Sequence, residues 1–228
     1  MDSIDDRIID YLRRNRVSTT EVADCLGKTG VLPEVMPCTP GYYRAGKVNW
    51  VYACHESNWT LHNQLQNLED GRIVLVDAYR CGDRALFGQL VSKYILLYHQ
   101  SEAVVVQGKM RDAAALIREK WPIWCGGYSP VGCYNEKPQK DVDPIWIEEH
   151  RRRYEGAIAV CDDCGVVVIP PHCVNEEFLE KLHFIEEQED IWFDRLDHYK
   201  ESTFDIVCRK DYLRDKTYIS ARNRKSAS

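Results

Sequence analysis

The pattern of apolar and polar positions predicts strands that alternate with helices through the middle of the chain. Short, continuous apolar runs at residues 73–77, 103–107 and 122–125 are typical of buried strands. Helical spacing marks the segments between them, from about Asp83 to His99 and over residues 112–120. Strands connected through helices favour a parallel or mixed sheet with right-handed crossovers.

The N-terminal part adds two helices and a further strand to this pattern. Residues 3–15 are amphipathic, and Ser18 and Glu21 have the spacing of a capping box, which marks the start of a helix. Residues 45–54 are rich in strand formers. We therefore expect helices before this strand and a sheet that begins ahead of the central apolar runs.

The C-terminal part predicts antiparallel strands and a long helix. Two apolar runs within residues 157–169 predict a hairpin, whereas residues 137–155 predict a polar connection. Residues 175–200 have helical spacing throughout. The expected fold is α/β, a mixed sheet with flanking helices, in one domain over residues 1–200 with an extension over 201–228.

Composition narrows the class of protein. The chain has 228 residues, of which 44% are hydrophobic, enough for a sizeable core. The formal net charge of −6 argues against a nucleic-acid-binding protein, which would need a basic face. No apolar run is long enough to span a membrane, and the acidic N-terminus lacks a signal-peptide core. We expect a cytoplasmic protein with neither nucleic acid nor membrane as partner.

The ten cysteines do not have the arrangement of a disulfide framework. They are scattered through predicted strands and helices, and a chain without a signal peptide indicates a reducing compartment. Cys161 and Cys164 have CxxC spacing, but a zinc site would need a second pair at similar spacing. Because Asp163 and Gly165 favour a turn, we interpret this segment as a hairpin turn, with a zinc or redox role as the alternative.

Arg111 and Asp112 are the main candidates for chemistry. They follow the apolar strand 103–107 and open the helix 112–120, where open α/β sheets bind ligands. Arg can hold a carboxylate through two hydrogen bonds, and Asp can hold a hard divalent metal ion. The pair predicts a site for a small keto acid and a metal, and a surface ion pair at a helix start is the alternative.

Glu189 interrupts an apolar stripe on the C-terminal helix. A carboxylate on such a stripe needs a partner, since burying an unpaired charge is costly. The partner is either a core Lys or Arg, or a ligand site on this or a neighbouring subunit, and both interpretations stay open. The stripe consists of Phe178, Leu182, Ile185, Trp192, Leu196 and Tyr199.

An ordered set of segments within residues 15–200 resembles the RraA-like family. This family includes the metal-dependent class II pyruvate aldolases that act on 4-hydroxy-4-methyl-2-oxoglutarate and 4-carboxy-4-hydroxy-2-oxoadipate, and the regulators of ribonuclease E activity. The segments that carry the resemblance are residues 18–27, 71–77, 84–90, 105–112, 122–130 and 156–170.

The resemblance implies a swivelling β/β/α fold, a homotrimer or hexamer, and roles for individual residues. Asp112 would hold Mg²⁺ or Mn²⁺, and Arg111 would bind the keto acid together with the backbone of Gly88, Gln89 and Leu90. Glu189, with Glu186 as second choice, would reach the active site of a neighbouring subunit. The implied activity is divalent-metal-dependent cleavage or decarboxylation of a pyruvate-type keto acid, such as oxaloacetate.

Two positions depart from the family pattern. Gln89 follows Gly88 where the aldolases have an acidic residue, and Ala115 stands three positions after Asp112 where Glu or Asp is expected. Gln89 cannot act as a general base. A non-catalytic regulatory protein that binds a ribonuclease or another protein therefore remains the alternative, although regulators tend to lack the metal-binding Asp.

Overall fold

Within residues 3–214, the part of the chain that the computed structural model describes, seven strands form one mixed sheet. The strands are β1 (Met36–Pro37), β2 (Arg44–Cys54), β3 (Ile73–Tyr79), β4 (Ala103–Gln107), β5 (Ile123–Cys125), β6 (Ile158–Asp162) and β7 (Gly165–Ile169). Their order across the sheet is β1-β5-β4-β3-β2-β6-β7. The pairs β2–β3, β3–β4 and β4–β5 are parallel. The pairs β1–β5, β2–β6 and β6–β7 are antiparallel. The predicted α/β fold with a mixed sheet is confirmed.

The helices alternate with these strands along much of the chain. They are α1 (Ile4–Asn15), α2 (Thr19–Cys25), α3 (Trp59–Gln64), α4 (Gln89–Lys93), α5 (Ala113–Glu119), α6 (Pro144–Tyr154) and α7 (Glu176–Tyr199). Shorter 3₁₀ and π turns cover Leu65–Asn67, Tyr94–Tyr98, Pro171–Cys173, Phe204–Arg209 and Asp211–Arg214. None of the helices in residues 3–214 has the length and apolar character that a membrane span requires.

The central strands are apolar at every position because both faces of the sheet are covered. On one face, Val76 and Val106 pack in a cluster that includes Val91 of α4 and Leu116 of α5. On the opposite face, the strand residues Leu75, Val105 and Trp124 share a cluster with Tyr154 of α6. The two faces therefore bring different helices, and different polar side chains, to the same ends of the strands.

The N-terminal helices begin as their caps predict. Ser18 Oγ accepts a hydrogen bond from the Glu21 N–H, and the Glu21 carboxylate accepts one from the Ser18 N–H, which completes the capping box. A third apolar cluster joins these helices to the hairpin and to the first turns of α7. It includes Ile8, Leu12, Val22, Ile158, Val160, Phe178 and Leu182.

Two sequence predictions of local structure are wrong. Residues 83–88 are not helical, because their backbone pairs with distant segments: the Leu86 N–H donates to Lys109 O at 2.8 Å and the Ala85 N–H to Val131 O at 2.8 Å. The helix therefore begins at Gln89. The predicted polar connection 137–155 contains a helix, since Asp143 caps a helix that starts at Pro144, with the Ile145 N–H 2.9 Å from Asp143 Oδ1.

The chain divides into two compact units, residues 1–182 and 183–228, and the boundary between them lies within α7. The first unit contains the whole sheet. In the second unit Gln188 is buried, and its Nε2 donates to the Tyr212 hydroxyl at 3.2 Å, as does Trp192 Nε1 at 2.9 Å. The polar side chain buried on the helix is thus Gln188, the neighbour of Glu189.

Candidate functional site

The carboxylate of Asp112 is held by the backbone of a segment far away in sequence. Asp112 precedes α5 with a left-handed backbone (φ 62°, ψ 32°), and its side chain does not cap that helix. Its Oδ2 instead accepts a hydrogen bond from the Gln89 N–H at 3.0 Å. The Arg111 N–H donates to Phe87 O at 2.9 Å, so two hydrogen bonds join the start of α4 to the Arg111–Asp112 pair.

Gly88 allows this close approach. A Cβ atom at Gly88 would lie 2.1 Å from Asp112 Oδ2 and 2.7 Å from Arg111 Cγ, distances that no side chain tolerates. The Gly88 backbone has φ −145°, which other residues adopt, so the glycine is required for space and not for conformation. The structure therefore places Gly88, Gln89, Arg111 and Asp112 next to one another, and these are residues that the family resemblance assigns to a common site.

Arg111 has its charged end open to solvent beside the carboxylate. Arg111 Nε lies 3.9 Å from Asp112 Oδ2, and the two side chains are 54% and 45% exposed. Gly132 forms a wall next to it, since a Cβ there would lie 2.9 Å from Arg111 NH1. Sequence reasoning did not find this wall, because nothing local in residues 128–155 indicates a contact with Arg111.

The donor set fits a hard ion that keeps solvent or substrate ligands, and it does not fit zinc. In residues 3–214 no group of three or more His, Cys, Asp or Glu side chains is arranged to hold a metal. Asp112 is the carboxylate at the site, and Ala115 brings no second one. Mg²⁺ commonly binds through one or two carboxylates plus water and substrate oxygens, whereas structural zinc needs a full set of protein ligands.

The remaining candidates lie in different surroundings. Leu90, in the first turn of α4, has 81% of its side chain exposed, and the Gln89 N–H is already engaged by Asp112. Glu189 belongs to the second unit, where it lines a small apolar pocket with Trp192 and Leu196. The catalytic role of Glu189 stays a prediction.

A second carboxylate, Asp77, lies near the carboxyl end of β3 on the opposite face, and the sequence analysis did not single it out. The Trp50 indole N–H donates to Asp77 Oδ2 at 2.8 Å, and His150 Nε2 lies 4.0 Å from the same oxygen. Trp146 stacks on His150 with ring centres 4.0 Å apart. Burial raises the pKa of Asp77, an effect that the Trp50 hydrogen bond and the His150 charge oppose.

The side chains around Asp77 were not predicted from the sequence because helix α6, which carries them, was not predicted. Trp146, His150 and Tyr154 recur every four residues on α6, a signal that is legible only once residues 144–154 are recognised as helical. Their rings pack against each other and against Trp50. This arrangement encloses Asp77 instead of presenting it to a ligand.

The model of the RraA-like family, described as Aldolase/RraA, matches residues 19–168, and the chain belongs to this family. The matched region contains the whole Gly88–Asp112 site. Among curated proteins no relative matches the chain.

Solved structures with the same fold cover most of the chain. An uncharacterized protein from Pseudomonas syringae pv. tomato str. DC3000 aligns with a TM-score of 0.65 and 19% identity, over 87% of this chain and 91% of that one. Streptomyces coelicolor RraAS2, described as an unusual member of the RNase ES inhibitor RraA protein family, aligns with a TM-score of 0.63 and 22% identity, over 81% and 96%. At these identities the likeness shows the fold alone.

Proposed function

We propose that this protein is a divalent-metal-dependent lyase that cleaves or decarboxylates a pyruvate-type keto acid, of the kind that 4-hydroxy-4-methyl-2-oxoglutarate aldolases and oxaloacetate decarboxylases use. The observation that carries the proposal is the hydrogen bond from the Gln89 N–H to Asp112 Oδ2. It fixes an exposed carboxylate beside an exposed guanidinium, which is the pair of groups that a metal-bound keto acid needs. The family, which includes aldolases, supports the same choice.

The residues have separate tasks in this proposal. Arg111 binds the substrate carboxylate through its guanidinium N–H groups, and Gly132 limits the positions that the guanidinium can take. Asp112 holds Mg²⁺ or Mn²⁺ with the oxygen positions that the Gln89 N–H leaves available. A bound divalent ion would draw electron density from the keto oxygen, which eases the breaking of the adjacent C–C bond.

The test is pyruvate release from oxaloacetate by the purified protein, measured with Mg²⁺, with Mn²⁺ and with a chelator. We expect release that depends on either ion and stops with the chelator. Asp70→Asn is a matched control, because Asp70 is an exposed carboxylate paired with His99, away from the proposed machinery. Pyruvate release that is equally fast without a divalent ion would contradict the proposal.

We further propose that the protein is a cytoplasmic homotrimer or a dimer of trimers. The region beside the site has an apolar groove of a kind that a second copy of the chain would cover. Leu90 and Tyr98 are 81% and 71% exposed there. The groove is lined by His62, Leu65, Gln66, Leu90, Val91, Lys93, Tyr94 and Tyr98.

Glu189 is proposed to take part in proton transfer at a neighbour's site, because Gln89 cannot act as a base. Glu189→Gln should then lower turnover sharply while the oligomer, measured by light scattering, persists. Unchanged turnover together with lower thermal stability would support a structural role for Glu189 instead.

The second candidate function is a non-catalytic RraA-type regulator that binds a ribonuclease or another protein. Gln89 and Ala115, which replace acidic residues of the aldolase pattern, favour it. The same pyruvate assay separates the two functions: a regulator would bind its partner in a pull-down and release no pyruvate with any divalent ion.

A further inference from the structure

The segment 126–132, which walls Arg111, is anchored at both ends beside cysteine pairs. At its start, Cys125 Sγ lies 3.5 Å from Cys38 Sγ. At its end, the Cys133 N–H donates to Ala85 O at 2.9 Å, and the neighbouring Cys81 thiol lowers the pKa of Cys133. All ten cysteines carry free thiols.

The backbone holds Cys38, directly after β1, next to Cys125, the last residue of β5. Strand β1 pairs antiparallel with β5, with Met36 opposite Cys125, and the Cys38 N–H donates to Ile123 O at 2.8 Å. Because Met36 and Cys38 are two residues apart, they lie on the same face of the strand, so both sulfurs point into the same space. A disulfide has an S–S bond of about 2.05 Å, so the sulfurs have to approach by about 1.5 Å. Because Cys38 is the diagonal neighbour of Cys125, the bridge also requires an adjustment of the backbone.

The pair also has the chemistry that oxidation requires. Cys38 is half-buried, so a small oxidant has access to it, whereas Cys125 is buried. The two thiols are hydrogen-bonded to each other, and either one can be the donor. This contact lowers the pKa of Cys125, which favours its thiolate, and raises the pKa of Cys38. The thiolate is the nucleophilic form of cysteine.

We propose that Cys38 and Cys125 form a reversible dithiol–disulfide pair that hydroperoxides oxidise. The bridge would link the residue after β1 to the end of β5, at the start of the segment 126–132 beside Arg111. One thiolate attacks the peroxide O–O bond and becomes a sulfenic acid, while the peroxide is reduced to an alcohol or water with uptake of a proton. The second thiol then attacks this sulfur, forms the S–S bond and releases water. Two thiols thereby lose two electrons to one hydroperoxide.

This step does not depend on the lyase reaction, so its test uses no activity assay. The full-length protein, first reduced, is treated with hydrogen peroxide, digested without reductant and mapped by mass spectrometry. We expect a Cys38–Cys125 cross-linked peptide, a mass loss of about 2 Da for the bridge, and reversal by dithiothreitol. The oxidised protein should also melt at a higher temperature than the reduced one, because the bridge restrains the unfolded chain.

Cys38→Ser should abolish both the cross-linked peptide and the shift in melting temperature. Cys208→Ser is the matched control, since Cys208 is exposed and has no part in the pair, and it should keep both. The proposal is overturned if peroxide yields only bridges or oxidised acids at the exposed Cys164 and Cys208, or if Cys38→Ser retains the shift.

Discussion

Two aspartates near the ends of neighbouring parallel strands differ in their exposure to solvent. Asp77, in β3, is 3% exposed and lies between the Trp50 indole and the His150 ring. Asp112, after β4, has a side chain that is 45% exposed, and a backbone N–H donates to one of its oxygens. The same residue type at the same edge of the sheet is thus enclosed on one face and open on the other.

This contrast concerns which carboxylate keeps oxygen positions available to a ligand. A carboxylate has about four lone-pair positions, and the ones that protein donors or packing occupy are lost to a metal ion. Aromatic rings on α6 cover Asp77, whereas the Gln89 N–H orients Asp112 without covering it. Position at the carboxyl end of a strand is therefore insufficient, and the helix packed over that end decides the outcome.

The largest expected effect is that of removing the open carboxylate. Asp112→Ala should abolish binding of Mg²⁺ and Mn²⁺ and lower metal-dependent pyruvate release on the order of 100-fold or more. Titration calorimetry with each ion and the pyruvate assay measure the two effects. Asp77→Asn is the paired variant and should keep both properties. If Asp112→Ala binds Mg²⁺ as well as the parent, the site assignment is wrong.

The next effect concerns the glycine that lets Asp112 reach the backbone. Gly88→Ala places a methyl group 2.1 Å from Asp112 Oδ2, so the carboxylate has to move away from the Gln89 N–H. We expect a loss of metal affinity and a destabilisation of about 1–3 kcal/mol, measured by titration and by urea unfolding.

Gly46→Ala is the control for adding a methyl group to a glycine. Its Cβ would meet the nearest atom, Arg13 NH2, at 3.4 Å, an ordinary contact distance. This variant should bind metal as the parent does. Equal metal affinity in both glycine variants would indicate that the contact between Gly88 and Asp112 is not needed.

A smaller effect is expected at the enclosed carboxylate, and there it should fall on stability alone. Trp50→Phe removes the indole N–H that donates to Asp77 Oδ2 and leaves a buried oxygen without that donor. We expect a loss of about 1–3 kcal/mol in the free energy of unfolding, with pyruvate release unchanged. A variant of normal stability but low activity would place Asp77 in the catalytic site and contradict its assignment as the enclosed, structural carboxylate.

The smallest effect is a change in pH dependence. The pKa of Asp77 is raised in the folded state above its ordinary value of 3.8, mainly by burial. The folded state therefore binds the proton more tightly than the unfolded state, so Asp77 adds stability as the pH falls through its folded pKa towards 3.8.

Asp77→Asn removes this proton-linked gain. Urea unfolding should be measured between neutral and mildly acidic pH. The free energy of unfolding of the variant, relative to that of the parent, should be highest at neutral pH and should decrease as the pH falls. A stability difference that stays constant over this range would mean that Asp77 does not titrate with folding.

Much of this architecture followed from local sequence pattern. Strand β4 was predicted at its observed bounds because a sheet covered on both faces requires apolar residues at every position. The capping box of Ser18 and Glu21 was predicted because its two hydrogen bonds join residues three apart. Arg111 and Asp112 were found for the same reason, since a charged pair directly after a buried strand is visible in one short segment.

The way in which these segments meet depends on tertiary contacts that no local pattern contains. Helix α4 begins at Gln89 because Ala85 and Leu86 pair with backbone far along the chain, a competition that no local pattern contains. The steric requirement for Gly88, the wall at Gly132 and the enclosure of Asp77 by α6 also arise between residues distant in sequence. Sequence alone determined which residues carry the charges, and packing determined which of those charges remain open to a ligand.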